Sequence, residues 1–150
     1  MTEREKPDFV LETFIRTTPE ALWNALTSSE LTRKFNIASA AFHGQVAAGE
    51  RYEYLRPDGS VMLSGEILSA EPFTRLEMTF FPGWGDAQPV VSRNVYEIVQ
   101  QGQLTKLTVL HFGITEAFVG VKQGWAQVIA SLKSLLETGE ALDFSEGVAA

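Results

Sequence analysis

The chain contains no cysteine. Disulfides, thiol catalysis and cysteine-ligated metals are therefore excluded. Histidine is almost as scarce: the two present, His43 and His111, stand at no ligand-like spacing. No loop carries the carboxylates that calcium requires. A phosphate-cradling glycine loop is missing, and so is a G-x-S-x-G nucleophile elbow. Neither a metal nor a cofactor is expected. No apolar run approaches the ~20 residues that span a bilayer. The first residues, MTEREKPDF, are charged and hold no apolar signal region, so a cytoplasmic protein is expected. Basic residues are outnumbered, 12 against 19 acidic, for a net charge of −7. Such a surface repels phosphates, which argues against nucleic acid and against anionic membranes.

What remains is ordinary globular composition, 45% hydrophobic and 21% charged. The 150 residues suit a single domain with one real core. Residues 1–8 and 140–150 read as loose tails.

Phe9–Thr17 alternates as a strand, with Phe9, Leu11, Thr13 and Ile15 on one face. Two short helices follow in TTPEALWNALTSSELTRKF, residues 17–35. Thr18 can cap the first, with Pro19 at its first position. Thr17 competes, because Glu20 lies three residues on in capping-box spacing. Leu22, Trp23 and Leu26 share one side. Ser28 or Ser29 caps again, and Leu31 and Phe35 give the second helix its apolar side.

Strand patterns are then expected over Ala38–Ala47, Arg51–Arg56, Ser60–Ala70 and Thr74–Phe81. Tyr52 and Tyr54 share a face, as do Leu76, Met78 and Phe80. Pro57-Asp58-Gly59 and Glu71-Pro72 mark turns. Pro82–Asp86 reads as a loop carrying Trp84. Val90–Gln100 and Gln103–Gly113 form a hairpin around Gln101-Gly102. From Val119 to Thr138 the pattern becomes helical. Trp125, Val128, Ile129, Leu132, Leu135 and Leu136 form one stripe, and Gly139 stands where a helix ends.

Successive strands with tight turns imply an antiparallel sheet. One long helix must cover it, giving an α+β domain. A single helix cannot cover about six or seven strands unless the sheet curves round it. That arrangement leaves a hollow.

Residues Gly124–Gly139, GWAQVIASLKSLLETG, resemble the closing helix of a family with the pattern GWP-x-V-L-x-x-L-K-x-L-L-E-T-G. SRNVYEI and TKLTVLHFG resemble that family's last two strands, and TTPEALWNALTSSEL its first helix pair. The family is that of the activator of heat-shock protein 90 ATPase, bacterial single-domain type. It is part of the START-like (SRPBCC, Bet v 1-like) superfamily. The resemblance implies a helix-grip fold. It also implies a range of roles: ligand binding, chaperone-cofactor domains and, more distantly, polyketide cyclases. Ala126 stands where proline is common, and Arg33-Lys34-Phe35 where tryptophans often close the second helix.

His111 is the most informative polar residue. It shares a face with Leu107 and Val109, and Lys106 on the opposite face makes that one the inner. There it could contact a ligand or act as a general base. Equally, it could be a core-edge histidine with a satisfied ring. Tyr52, Tyr54 and Tyr96 pose the same choice between cavity and core. Trp84 and Trp125 could cap a pocket or fill a gap. Phe35 and Ile37 would stand at a rim. With Met78, Phe80, Val109 and Val128, these are the candidate ligand-binding residues. Glu12, Glu66, Glu77 and Glu97 read as outer-face charges.

One possible base without nucleophile, orienter or metal favours binding over catalysis. The expectation is an apolar cavity for a small hydrophobic or aromatic molecule. The alternatives are a co-chaperone-like interaction domain, for which the sequence offers no partner, and a cyclase- or hydrolase-type enzyme using His111.

Overall fold

The computed structural model describes residues 6–36, 38–82, 92–114 and 120–144. The expected rim residue Ile37, the loop tryptophan Trp84 with most of the expected Pro82–Asp86 loop, and the start of the strand expected at Val90 lie outside them.

Strand β1 spans Phe9–Ile15, and its alternation shows in exposure: Val10, Glu12 and Phe14 face out while Ile15 is fully buried. Helices α1 (Pro19–Thr27) and α2 (Ser29–Phe35) follow. Thr18, not Thr17, caps α1: its Oγ1 accepts from the Ala21 amide at 3.1 Å, with Pro19 in the first turn. Ser28 caps α2 through the Leu31 amide. Neither helix is long enough to persist alone. Burial of Leu22, Trp23, Ala25 and Leu26 from α1 and of Phe35 from α2 holds them. A polar contact adds to this, since the buried Thr32 hydroxyl accepts from the Ala40 amide at 2.7 Å.

The remaining elements are β2 (Ser39–Phe42), β3 (Arg51–Leu55), β4 (Val61–Glu71), β5 (Arg75–Thr79), β6 (Phe81–Pro82), β7 (Arg93–Gln101), β8 (Leu104–Phe112) and α3 (Gly120–Thr138). Every strand pairing among the described residues is antiparallel. Seven strands run in the order β1-β8-β7-β5-β4-β3-β2, and the two-residue β6 adds to β4. The sheet curves round α3, and the α+β helix-grip architecture expected from the sequence is present. No helix among the described residues is long and apolar enough to cross a membrane.

Two strands differ from their expected extent. β2 stops at Phe42 instead of running to Ala47. Gly44 adopts φ of 94°, a left-handed conformation that no strand continues through. The Thr74–Phe81 run splits into β5 and β6, so that Phe80 falls between them.

The curvature has a local cause. β4 pairs with β3 and β6 over its first part and with β5 over its last, with a register shift between Ile67 and Ser69. A bulge of this kind bends a strand and increases its twist. Gly65 lies beside it, and a Cβ there would collide with the Thr79 carbonyl oxygen and meet Tyr52 Cε1 at 2.6 Å. Only glycine lets the two backbones approach so closely.

Helix α3 buries Trp125, Ile129 and Leu132 on the expected stripe, with Val128, Leu135 and Leu136 partly buried beside them. Its C-terminal half is tied to β1. Lys133 Nζ donates to the Phe14 carbonyl at 2.6 Å and pairs with Glu137 at 2.8 Å, and Glu137 accepts from the Arg16 amide. Residues 140–144, read from sequence as the start of a loose tail, are fastened to α3. Ser131 Oγ accepts from the Leu142 amide at 3.0 Å, and Ser134 Oγ donates to the Glu140 carbonyl at 2.7 Å.

Candidate functional site

Between the concave sheet face and the N-terminal half of α3 lies a cavity of about 1130 Å³. Four surfaces enclose it. The sheet contributes Tyr54, Met62, Leu63, Met78, Asn94 and Tyr96. Phe80 comes from the link between β5 and β6, and Phe35 from the end of α2. Helix α3 contributes Gly120, Val121, Gly124, Trp125 and Val128. The strap Ala141–Phe144 completes the wall. Lys34, Arg56 and Asp143 are exposed members of the lining and mark its mouth.

The hollow exists because α3 presents small residues there. Gly120 and Gly124 are four apart and share a helix face. A Cβ at either would meet nothing within 4 Å. Trp125 holds that half of the helix on the sheet by a different means, a chain of polar side chains. Its indole N–H donates to His111 Nδ1 at 2.8 Å, and His111 Nε2 lies 2.6 Å from Ser92 Oγ.

The tautomer follows from chemistry. An indole nitrogen can only donate, so His111 Nδ1 is the acceptor and Nε2 carries the proton. Ser92 therefore receives a hydrogen bond from the imidazole. The pair has the spacing of a nucleophile and its base with the proton on the wrong side. Serine activation would require the unprotonated nitrogen to face Ser92. His111 is only 1% exposed and lies behind Trp125 and Phe80, whose rings contact it edge-on at 6.0 and 4.7 Å. Burial depresses its pKa from 6.5 to about 4, opposed by the charge of Asp8. The ring is neutral at pH 7.

The tyrosines divide. Tyr54 and Tyr96 line the cavity. Burial raises the Tyr54 pKa to about 12, tempered by a hydrogen bond from the Tyr96 hydroxyl, and the Tyr96 phenol is also pushed up by burial. Both are neutral across the physiological range. Tyr52 does not line the space: its hydroxyl donates to the Thr79 carbonyl, and its ring packs against Phe42 and Tyr54. Val109 is fully buried and His111 sits in the wall behind. Of the residues singled out from sequence, Phe35, Tyr54, Met78, Phe80, Tyr96, Trp125 and Val128 meet at the cavity.

Several lining residues escaped the sequence reading. Leu63 and Asn94 lie on strands where alternation could have placed them inward, whereas Met62, next to Leu63, stands at the register shift between β3 and β4. The Gly120/Gly124 spacing was also visible as a gap in the helix face. Nothing in the sequence signalled that residues 141–144 would fold back. No group of three or more His, Cys, Asp or Glu among the described residues could hold a metal ion.

The solved structures that match this chain share its fold. A protein from Mesorhizobium loti is 29% identical, with a TM-score of 0.72, over 85% of this chain and 95% of its own. The Aha1 dimer from Colwellia psychrerythraea is 18% identical, with a TM-score of 0.70, over 88% and 97%. An HSP90 activator from Plasmodium falciparum is 17% identical, with a TM-score of 0.69, over 87% and 96%. No curated protein matches. The profile of one family, described as activator of Hsp90 ATPase homolog 1-like protein, matches residues 16–137. With the helix pair, strands β2 to β8 and all but the last residue of the closing helix inside that match, the chain belongs to the family of activator of Hsp90 ATPase homolog 1-like proteins.

Proposed function

We propose that this protein binds a small hydrophobic or aromatic molecule, in the cytoplasm, in the cavity between its sheet and α3. The observation that carries the reading is the space itself: about 1130 Å³ with a mainly apolar and aromatic lining. Sites for small molecules are concave, mostly apolar and furnished with few polar groups. Transfer of apolar ligand surface from water would drive binding at ~25 cal/mol per Å². Phe35, Met78, Phe80 and Val128 would supply apolar contact, and Tyr54, Tyr96 and Trp125 flat aromatic walls. His111 would hold Trp125 in position and not touch the ligand.

The test is a thermal-shift and native mass-spectrometry screen of lipids, flavonoids and aromatic metabolites. A ligand present at a hundred times its dissociation constant should stabilise the fold by about 2.7 kcal/mol. If no compound shifted the transition and none was retained in the spectrometer, the reading would fail.

A second reading is a co-chaperone-like domain acting through its outer surface. It is supported by the family match and by the name of the Plasmodium falciparum neighbour, an HSP90 activator. The net charge of −7 would suit a basic partner patch. Stimulation of a chaperone's ATPase by the purified chain would favour it; no stimulation and no complex in a pull-down would remove it.

A further inference from the structure

We propose that Asn94 orients the ligand, and that the ligand is a neutral aromatic molecule bearing an O–H or N–H donor. This rests on the binding function proposed above and narrows its ligand class.

Asn94 sits near the start of β7 on the concave face, paired in register with Met78 on β5 and His111 on β8. It lines the cavity and is only 2% exposed. Its Oδ1 is the buried side-chain atom among the described residues that lacks a hydrogen-bond partner. Two polar side chains of the same face are already committed. His111 uses both ring nitrogens, on Trp125 and Ser92, and the Tyr52 hydroxyl is spent on Thr79. An amide oxygen left unpaired in an interior is a standing free-energy cost, and native folds avoid it unless something else pairs with it.

The arrangement suits a ligand donor. The terminal torsion of asparagine is broad and soft, so a small rotation turns Oδ1 towards the cavity. The walls around it are aromatic: Tyr96 and Trp125 pack edge to face at 5.7 Å, and Phe80 closes the adjoining side. A flat ring can lie against such a wall. The ligand must be neutral there, because an amide oxygen carries no formal charge to offset a buried ion. Discrimination should be pronounced. A site that offers a buried hydrogen-bonding group rejects analogues that leave it unpaired.

The experiment compares 1-naphthol with 1-methoxynaphthalene by calorimetry on the full chain. The two share an aromatic body and differ in the donor. The naphthol should bind roughly tenfold more tightly, the effect of one net hydrogen bond. In Asn94→Leu both should still bind, and the ratio should fall to about one. Equal affinities in the unaltered protein would overturn the role of Asn94 while leaving the cavity reading intact. So would a preference that survived in Asn94→Leu. Binding of neither compound would overturn the aromatic-donor assignment and leave the cavity reading to the wider screen above. A second measurement keeps the proposal testable if the variant does not fold. The naphthol alone should shift the Asn94 side-chain amide resonances, and equal shifts with both compounds would refute the assignment.

Discussion

The two halves of α3 lie on one sheet and meet it differently. The C-terminal half buries Ile129 and Leu132 in the filled core and is tied to β1 through Lys133 and Glu137. The N-terminal half presents Gly120 and Gly124 and stands over a cavity, held by the chain Trp125–His111–Ser92. Both belong to one continuous helix. The cavity therefore owes more to missing side chains than to any break in the helix. Where apolar stripe residues stop, a polar chain takes over the work of docking.

Truncation should separate the halves most strongly. Leu132→Ala leaves a void in close-packed surroundings and should cost about 4 kcal/mol in urea unfolding. Val128→Ala, already facing the hollow, should cost under about 1 kcal/mol, because it enlarges an existing space. Similar losses at both positions would erase the distinction.

Acid should act next, on the docking chain of the hollow half. His111 is neutral and buried in the folded state, with its pKa lowered from 6.5 to about 4. Between those values the unfolded chain binds the extra proton, so stability rises with pH. The contribution is fully present above pH 6.5 and is lost as pH falls towards 4. At about 1.4 kcal/mol per pKa unit the loss reaches about 3 kcal/mol. His111→Gln should flatten this part of the stability–pH curve. An unchanged slope in that variant would assign it to another group.

The smallest effect on stability should have the clearest effect on binding. Gly124→Leu adds a side chain where a Cβ meets nothing within 4 Å. Helix propensity alone should raise stability by about 0.8 kcal/mol. The added side chain fills part of the cavity, so any ligand that stabilises the unaltered protein should lose its thermal shift. A variant that was more stable and still bound its ligand would move the site away from α3.

Much of this comparison was legible in advance, for local reasons. The stripe on α3, the inward face of Leu107, Val109 and His111, and the capping of α1 and α2 follow from periodicity and hydrogen-bonding chemistry within a few residues. Seven of the candidate site residues line the cavity, and local period assigns most of them a face: Tyr54, Met78 and Tyr96 by strand alternation, Phe35, Trp125 and Val128 by helical spacing. It could not tell cavity from wall on that face. Tyr52 and Tyr54 alternate identically, yet Tyr52 is anchored on Thr79 beside the Gly65 approach, and Tyr54 opens onto the hollow.

The order of elements, the face that each presents and the length of the closing helix are written locally in the chain. Those properties depend on side-chain period and on capping groups within a few residues. Which polar groups find partners depends on long-range packing. Trp125 on α3, His111 on β8 and Ser92 just before β7 are far apart in the chain, and their order of donation sets the histidine tautomer. The bend at β4 and the turn-back of the strap determine which inward residues meet open space. Those choices are made by contacts between residues far apart in the chain, for which local pattern carries no information.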